Sequence, residues 1–375
     1  MADDKELKVA IVCDWLTGFG GAERVVLELH KLYPKAPIYT SQYDPTKIDW
    51  FAEADVRPLK SLQKLPKGLK KFLPALRMWG FRHLDLSDYD LVISSSGAEA
   101  KAVKTGPNTI HICYCHSPTH YYWIRYDEYM ANPGFPRGFN WLGRIGLRLL
   151  NGPLKHQDYQ AAQGPDYIVA NSTHTQANIK KYYKRDSTII FPPVEVERFE
   201  IVGKPPLRHG FVIAGRQTPY KRFDLAIQAC NDLGVPLVVI GNGPDHKRLE
   251  KIGGRSTTFL SNVGDHEIAA HFQSALGYIM PNMDDFGIVA VEALAAGTPV
   301  IAYKKGGVLD YVVDGKTGVF FEKQDIKSVT AALESVLAKS FNYNAIAEST
   351  RQYSADAFRV KMQQFIWDHR AKPKR

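Results

Sequence analysis

Asp284-Asp285-Phe286-Gly287-Ile288-Val289-Ala290-Val291-Glu292-Ala293-Leu294-Ala295-Ala296-Gly297-Thr298-Pro299-Val300 is the stretch on which the fold turns. From Phe286 to Ala302 the chain is almost wholly apolar. It divides into a predicted helix, Gly287 to Ala296, and a predicted strand, Pro299 to Tyr303. A strand over Leu276 to Met280 precedes it, so the segment reads as strand, helix, strand. One carboxylate, Glu292, lies inside the apolar run. Burying a charge without a partner costs several kcal/mol, so Glu292 either pairs with a cation or meets the hydroxyl groups of a ligand. Two more acids sit just ahead of Gly287, where the free amides of a helix N-terminus make a seat for phosphate. The segment thus offers amides for an anion and carboxylates for polyols, a combination that suits a nucleotide-sugar.

The same alternation extends in both directions. Before the segment, strands are predicted at Gly210 to Ala214, Pro236 to Ile240 and Thr257 to Leu260. They are separated by helices at Phe223 to Leu233, Lys247 to Ile252 and around Glu267 to Ala275. After it, Asp314-Gly315 signals a turn, and helices follow at Ile326 to Leu337 and Ala355 to about Trp367. In the first half, strands are predicted at Leu7 to Cys13, Leu91 to Ser94, Thr109 to Cys115, Tyr167 to Ala170 and Thr188 to Phe191. A helix over Ala22 to Tyr33 follows the first of these. Pro192 to Pro206, rich in proline and charge, reads as a linker. The expectation is an α/β chain of two Rossmann-like, doubly wound domains, residues 1–195 and 208–354. Ligands are expected at the strand C-termini, in a cleft between the domains.

The chain has 375 residues, 45% of them hydrophobic and 23% charged, enough for two ordinary cores. It holds no apolar run of membrane-spanning length, and its charged N-terminus lacks the apolar centre of a signal peptide. Four cysteines without regular spacing argue for a reducing compartment. The expected location is therefore the cytoplasm. A net charge of +9 and a pI near 9.1 favour an anionic partner. Between Arg57 and Arg82, Lys60, Lys64, Lys67, Lys70, Lys71 and Arg77 interleave with Leu65, Leu69, Phe72, Leu73, Leu76, Trp79 and Phe81. Pro66 and Pro74 argue against one unbroken helix there. This stretch is either a solvated face over the core or a basic amphipathic surface for an anionic membrane. No helix-turn-helix, zinc-finger or RNP-type pattern supports nucleic acid.

Several short motifs carry chemistry. Gly18-Phe19-Gly20-Gly21 follows a strand and opens a helix, without the spacing of a dinucleotide fingerprint or a Walker loop. It is either a close-approach loop for a ligand or a plain tight turn. Gly215-Arg216-Gln217-Thr218-Pro219-Tyr220-Lys221-Arg222 also follows a strand and places Arg216 and Lys221 at the top of the second sheet. A guanidinium fork and an ammonium together can neutralise a leaving diphosphate, although a basic surface turn reads the same way. His111, Cys113, Cys115, His116 and His120 crowd one segment. No Cys-x-x-Cys spacing supports metal there, and His116 falls at the strand's C-terminal tip. Asp285-Phe286-Gly287 lacks the other kinase signatures.

Taken together, these residues resemble the GT-B glycosyltransferases of the retaining family 4. The resemblance rests on Gly20 to Glu23, Cys115-His116-Ser117-Pro118, Ala170-Asn171-Ser172 and Pro192-Pro193-Val194. It continues through Gly215-Arg216, Pro219-Tyr220-Lys221-Arg222, Gly241-Asn242-Gly243-Pro244 and the acidic segment. There the family's Glu-x7-Glu spacing holds, with Asp284 in the first position. The resemblance implies that Asp284, with Asp285 beside it, faces the donor sugar, that Glu292 binds the ribose and that Arg216 and Lys221 hold the diphosphate. Amides near Phe286, Gly287 and Ile288 would assist, Gly20, Gly21 and Gly215 would line the donor, and His116 would stand beside the sugar. Gly241 and Val263 lie where relatives hold the base. No cofactor and no metal is implied, because the two cations neutralise the leaving group.

The patterns Cys-His-Ser-Pro, Pro-Tyr-Lys-Arg-Phe-Asp and Asp-Phe-Gly-Ile-Val are similar to bacterial mannosyltransferases that use GDP-mannose, with UDP-sugars as the alternative donor. The implied acceptor is a glycan or lipid-linked glycan in polysaccharide assembly. The basic stretch from Arg57 to Arg82 and a second from Phe135 to Leu150, with Arg137, Arg144 and Arg148, would bring the enzyme to the inner face of the cell membrane. The resemblance also implies that the helix from Ala355 returns to the first domain. Rival readings are a phosphorylase-like enzyme, which requires a pyridoxal phosphate lysine and a longer chain, and a non-catalytic sugar-nucleotide or membrane-binding module.

Overall fold

The computed structural model describes residues 7–63, 74–131, 140–201 and 206–370. The chain divides into two compact units, one of residues 1–191 with 358–375 and one of residues 192–357.

The first unit is built on seven parallel strands: β1 Val9–Cys13, β2 Ile38–Thr40, β3 Val56–Pro58, β4 Leu91–Ser96, β5 Ile110–Cys115, β6 Tyr167–Ala170 and β7 Thr188–Ile189. Their spatial order is β3-β2-β1-β4-β5-β6-β7. The order reverses between β1 and β4, which pair in register from Val9–Leu91 to Cys13–Ser95. Alternate residues of β1 serve opposite faces. Val9, Ile11 and Cys13 join Val25 and Leu29 of the Gly21–Leu32 helix in one core. Ala10 and Val12 join Phe81 and Val92 in the other. Phe358, Met362, Phe365 and Ile366 of the Ala355–His369 helix belong to the first of these cores. That helix carries the chain back into the first unit.

The second unit has six parallel strands: β8 Phe211–Ala214, β9 Leu237–Ile240, β10 Thr257–Leu260, β11 Gly277–Met280, β12 Val300–Tyr303 and β13 Gly318–Phe321. Their order is β10-β9-β8-β11-β12-β13, reversing between β8 and β11. Its core packs Phe211, Ile213, Ile279 and Ile301 against Phe223 and Ile227 of the Phe223–Leu233 helix and Val329 and Leu333 of the Ile326–Leu337 helix. Strand order switches leave crevices at strand C-termini, and each unit has one: beyond β1 and β4, and beyond β8 and β11.

Two stretches differ from the sequence reading. Pro192 to Pro206 is no plain linker. Val196–Phe199 forms a 3-10 turn, and Phe199 is buried and stacks on Phe272, with ring centroids 5.7 Å apart. The Asn140–Ala161 helix was not anticipated, because Gly143, Gly146, Gly152 and Pro153 all count against helix; Pro153 lies inside it.

Candidate functional site

In the second unit, the loop after β11 and the turn after β8 meet. Lys221 ends the Pro219–Lys221 turn, and its Nζ lies 2.5 Å from Asp284 Oδ2. Both side chains are about a fifth exposed (21% and 18%), so the pair is open to a ligand. Arg216 is exposed and enters no ion pair among the described residues. Glu292 projects from the Ile288–Ala295 helix, is 7% exposed and has Arg198 Nη2 3.6 Å from its Oε1. Arg198 also lies 3.3 Å from Glu195 and over the ring of Phe199. The charge in the apolar run therefore has a cationic partner, one of the two options its burial left open.

The acidic loop is braced from behind. Tyr311 donates its hydroxyl to the Phe286 carbonyl at 2.8 Å and lies 3.2 Å from that of Gly287. Burial, then the Asp284 charge, holds the phenols of Tyr278 and Tyr311 well above their ordinary range. Gly306 and Gly307 pass so close that added Cβ atoms would lie 2.5 Å from the Asp284 carbonyl oxygen and 2.3 Å from that of Asp285. Gly307 N–H donates to Asp284 O at 2.9 Å. Gly287 caps the following helix, Ile288 opens it, and Phe286 beside them is buried.

The neighbouring loops are tied together by a residue that the sequence reading passed over. Gln217 is fully buried. It donates to Gly241 O at 2.8 Å, and its Oε1 lies 2.6 Å from His246 Nδ1. Gly241 has φ +111°, and a Cβ there would stand 2.3 Å from Gly215 O. Only glycine allows this approach. Val263 lies in the loop after β10 and is half-buried.

In the first unit, Gly20 caps the Gly21–Leu32 helix, and Glu23 lies in its first turn. Asp14, directly after β1, is the hub of the β4 turn. Its Oδ2 accepts from Gly97 N at 2.7 Å and Ala98 N at 3.0 Å. Its Oδ1 accepts from Ala100 N at 2.8 Å and Ser96 Oγ at 3.2 Å. His116 follows β5 directly, with Nε2 2.7 Å from Ser95 Oγ. Asp14, Glu23, His116 and Tyr121 line one cavity of about 250 Å³. Burial, helped by the Asp14 charge and opposed by Glu23's own backbone amide, pushes the Glu23 carboxyl up to about 7.

Behind this site, Lys101 Nζ pairs with Asp158 at 2.6 Å, both essentially buried. Asp158 also accepts from Thr119, Trp123 and Tyr183 at 2.7–2.8 Å. Burial works against the Lys101 charge, but Asp158 outweighs it and holds the amine well above its ordinary range. His111 does not join a metal cluster: its Nε2 lies 2.8 Å from Ser94 Oγ. Among the described residues no group of three or more His, Cys, Asp or Glu could hold a metal ion.

On the surface of the same unit, Leu76 and Trp79 are exposed on the Pro74–Arg82 helix. Trp141, Ile145, Leu149 and Leu150 are exposed on the Asn140–Ala161 helix, next to Arg144 and Arg148. Lys64 to Leu73, Phe135 and Arg137 of the basic stretches lie outside the described residues. No described helix is long and apolar enough to cross a membrane.

Two parallel sheets, each reversing order at a crevice, and an acidic loop facing a lysine define a GT-B protein. The family model described as Glycosyltransferase Family 4 matches residues 19–198, and that described as Glycosyl transferases group 1 matches residues 194–353. The chain belongs to glycosyltransferase family 4. It is 29% identical over 178 residues to a GDP-mannose-dependent alpha-(1-6)-phosphatidylinositol monomannoside mannosyltransferase of Mycolicibacterium smegmatis, covering 43% of this chain and 46% of that protein. It is 26% identical over 248 residues to a D-inositol 3-phosphate glycosyltransferase of Corynebacterium urealyticum, covering 57% of each. The chain thus spans about half the length of the curated relatives it matches. The crystal structure of Anabaena Alr3699/HepE in complex with UDP and glucose has the same fold. Its TM-score is 0.69 and its identity 15%, over 96% of this chain and 100% of that one.

Proposed function

We propose that this protein transfers a hexose, mannose from GDP-mannose, to a glycan or lipid-linked glycan acceptor with retention of anomeric configuration and without a metal. The observation that carries the proposal is the 2.5 Å contact between Lys221 and Asp284, at the head of the helix that bears Glu292. A cation from the turn after β8 then meets a sugar-binding carboxylate, and a second carboxylate for ribose stands on the helix that follows. The relatives named for GDP-mannose support the choice of donor.

The chemistry follows from charge. As the anomeric bond breaks, its electron pair stays on the diphosphate and the sugar ring becomes positive. Lys221, Arg216 and the amides around Gly287 stabilise the first charge, and Asp284 lies near the second. The acceptor oxygen bonds to the anomeric carbon on the face the diphosphate leaves, and its proton passes to a departing phosphate oxygen. Contact with an anionic membrane at its inner face is part of the same reading. It is supported by Trp79, Trp141, Ile145 and Leu149 exposed beside Arg82, Arg144 and Arg148.

Thermal melting with GDP, GDP-mannose, UDP and UDP-glucose, with and without Mg²⁺, tests the proposal. Stabilisation by GDP compounds that is indifferent to Mg²⁺ is expected. A response to UDP compounds alone replaces the donor, and no response to any nucleotide removes the transferase reading. Sedimentation with phosphatidylglycerol vesicles but not phosphatidylcholine vesicles is the expected membrane result.

A further inference from the structure

Gln217 sits between two loops that the pairing of β8 with β9 brings side by side. It follows Arg216 in the turn after β8, and it lies against Gly241 to Pro244, the loop after β9. All four of its polar groups are committed to that second loop and the helix beyond it. Its backbone N–H donates to Asn242 O at 2.9 Å, and its carbonyl accepts from Asp245 N at 3.1 Å. Its side-chain amide donates to Gly241 O at 2.8 Å and meets His246 Nδ1 at 2.6 Å. Gln217 is fully buried, where an unmade hydrogen bond is costly. The two backbones also touch. An added Cβ at Gly241 would collide with Gly215 O, and one at Gly243 with Gln217 O.

These contacts fix the tautomer of His246. The Gly241 carbonyl can only accept, so the NH2 of the Gln217 amide faces it and Oε1 faces the histidine. That oxygen can only accept in turn, so His246 carries a proton on Nδ1. The opposite ring nitrogen lies 3.3 Å from Oε1 of Glu250, whose side chain is half exposed. His246 opens the His246–Ile252 helix, and its ring meets that of Phe259 edge-on, with centroids 5.8 Å apart. The histidine is thus held from the helix and from β10, and it passes that support to Gln217 through one hydrogen bond.

We infer that Gln217 and His246 are positioning residues for the nucleotide: together they fix the separation between the loop that meets the base and the turn that meets the diphosphate. The inference rests on the proposed donor site, with the diphosphate at Arg216 and Lys221 and the base at Gly241 and Val263. A ligand that spans both loops gains from a fixed separation, because the loops need no ordering when it binds. A ligand that touches the turn alone gains nothing. The buried Gln217 side chain acts through Gly241 rather than on the nucleotide itself.

Calorimetry on the full chain tests this, with GDP as the spanning ligand and inorganic pyrophosphate as the one that reaches only the turn. Gln217→Met keeps the length of the side chain and removes both of its hydrogen bonds. It is expected to weaken GDP at least about tenfold, or about 1.4 kcal/mol, and pyrophosphate less than about twofold. At His246, two amide substitutions separate the ring nitrogens. Asn places its NH2 where Nδ1 stands, so His246→Asn is expected to bind GDP within about threefold of wild type. Gln reaches toward the Nε2 position instead, so His246→Gln is expected to weaken GDP well beyond that. The double variant of Gln217→Met and His246→Gln is expected to bind GDP no worse than Gln217→Met alone, as for residues that act through one bond. Equal losses of GDP and pyrophosphate in Gln217→Met overturn the inference. So does GDP binding that is unchanged in His246→Gln or lost in His246→Asn. His246 is part exposed, so its variants decide the matter if Gln217→Met does not fold. If the wild type answers to UDP and not to GDP, the same ratios are read with UDP, and only the donor changes. A wild type that binds no nucleoside diphosphate removes the donor site and this inference with it. One that follows these ratios but transfers no mannose keeps the inference and loses the mannosyltransferase reading.

Discussion

Arg198 and Glu292 face each other across 3.6 Å, one from the turn that opens the second unit and the other from the middle of its most apolar helix. The helix can bury a carboxylate because the turn supplies its counter-charge. Removing the arginine leaves that charge poorly compensated. Arg198→Ala is expected to lower stability by about 1–3 kcal/mol, seen as a lower melting temperature, and to weaken GDP binding. Glu292→Gln is expected to cost less stability and at least as much GDP affinity. Unchanged melting in Arg198→Ala counts against the pairing.

Lys221 is a fifth exposed, so its loss acts on chemistry more than on folding. Lys221→Ala is expected to reduce turnover about 10²–10³-fold, the scale seen when one donor to a developing negative charge is removed. Melting without ligand is expected to stay near wild type. Steady-state rates with saturating donor, beside a melting curve, make the check; an unaltered rate shows that the diphosphate is neutralised elsewhere.

Lys101 and Asp158 form a buried pair with three further donors on the aspartate. Breaking such a pair from one side typically costs about 3–5 kcal/mol. Lys101→Met and Asp158→Leu are each expected to reach that range in denaturant melts. The double variant recovers only part of the loss, because Thr119, Trp123 and Tyr183 still lack their acceptor. Full additivity of the two single losses contradicts this.

Glu23 predicts a pH dependence of stability. Its carboxyl rises from 4.5 to about 7 in the folded chain. Between those values the native state holds a proton that the unfolded state has released, so stability falls as pH rises through that window and then levels off. The span is at most about 3 kcal/mol. Asp14, His116 and His120 line the same cavity and are untouched by Glu23→Gln. That variant is expected to flatten melting temperature against pH between about pH 5 and 7 and to be the more stable protein at pH 8. A wild-type slope retained in Glu23→Gln assigns the effect to another group.

Much of the fold was legible because helices of eleven or twelve residues repeat their apolar positions and short apolar runs alternate with them. Tyr167–Ala170, Phe223–Leu233, Thr257–Leu260 and Ile326–Leu337 fall where their patterns place them. The missed strands share a cause. Ile38–Thr40 and Val56–Pro58 are three residues each, too short for a period, and the second ends in proline. Gly318–Phe321 is a four-residue run after a turn, recognisable only once β12 offers it an edge. At the site, Lys221 and Asp284, which the structure brings to 2.5 Å, were visible as candidates. Arg198 and Gln217 were not, because what they do depends on partners remote in sequence. Gly306-Gly307 was a signal that could have been read: paired glycines mark a close approach of backbones, here to Asp284 and Asp285.

The chain leaves the first unit at Phe191 and re-enters it at Phe358. During synthesis this fixes an order of events. All seven strands of the first sheet emerge from the ribosome well before Phe358, Met362, Phe365 and Ile366, which close one of its cores. The second unit is one continuous stretch and can bury its core as soon as it is free. At about 5–20 residues per second, the half-built first unit waits roughly 10–30 s with the part of that core filled by Phe358, Met362, Phe365 and Ile366 uncovered. The unit translated later is thus the one completed earlier. A chain truncated just before Phe358 would carry the second unit whole beside a first unit in need of a chaperone.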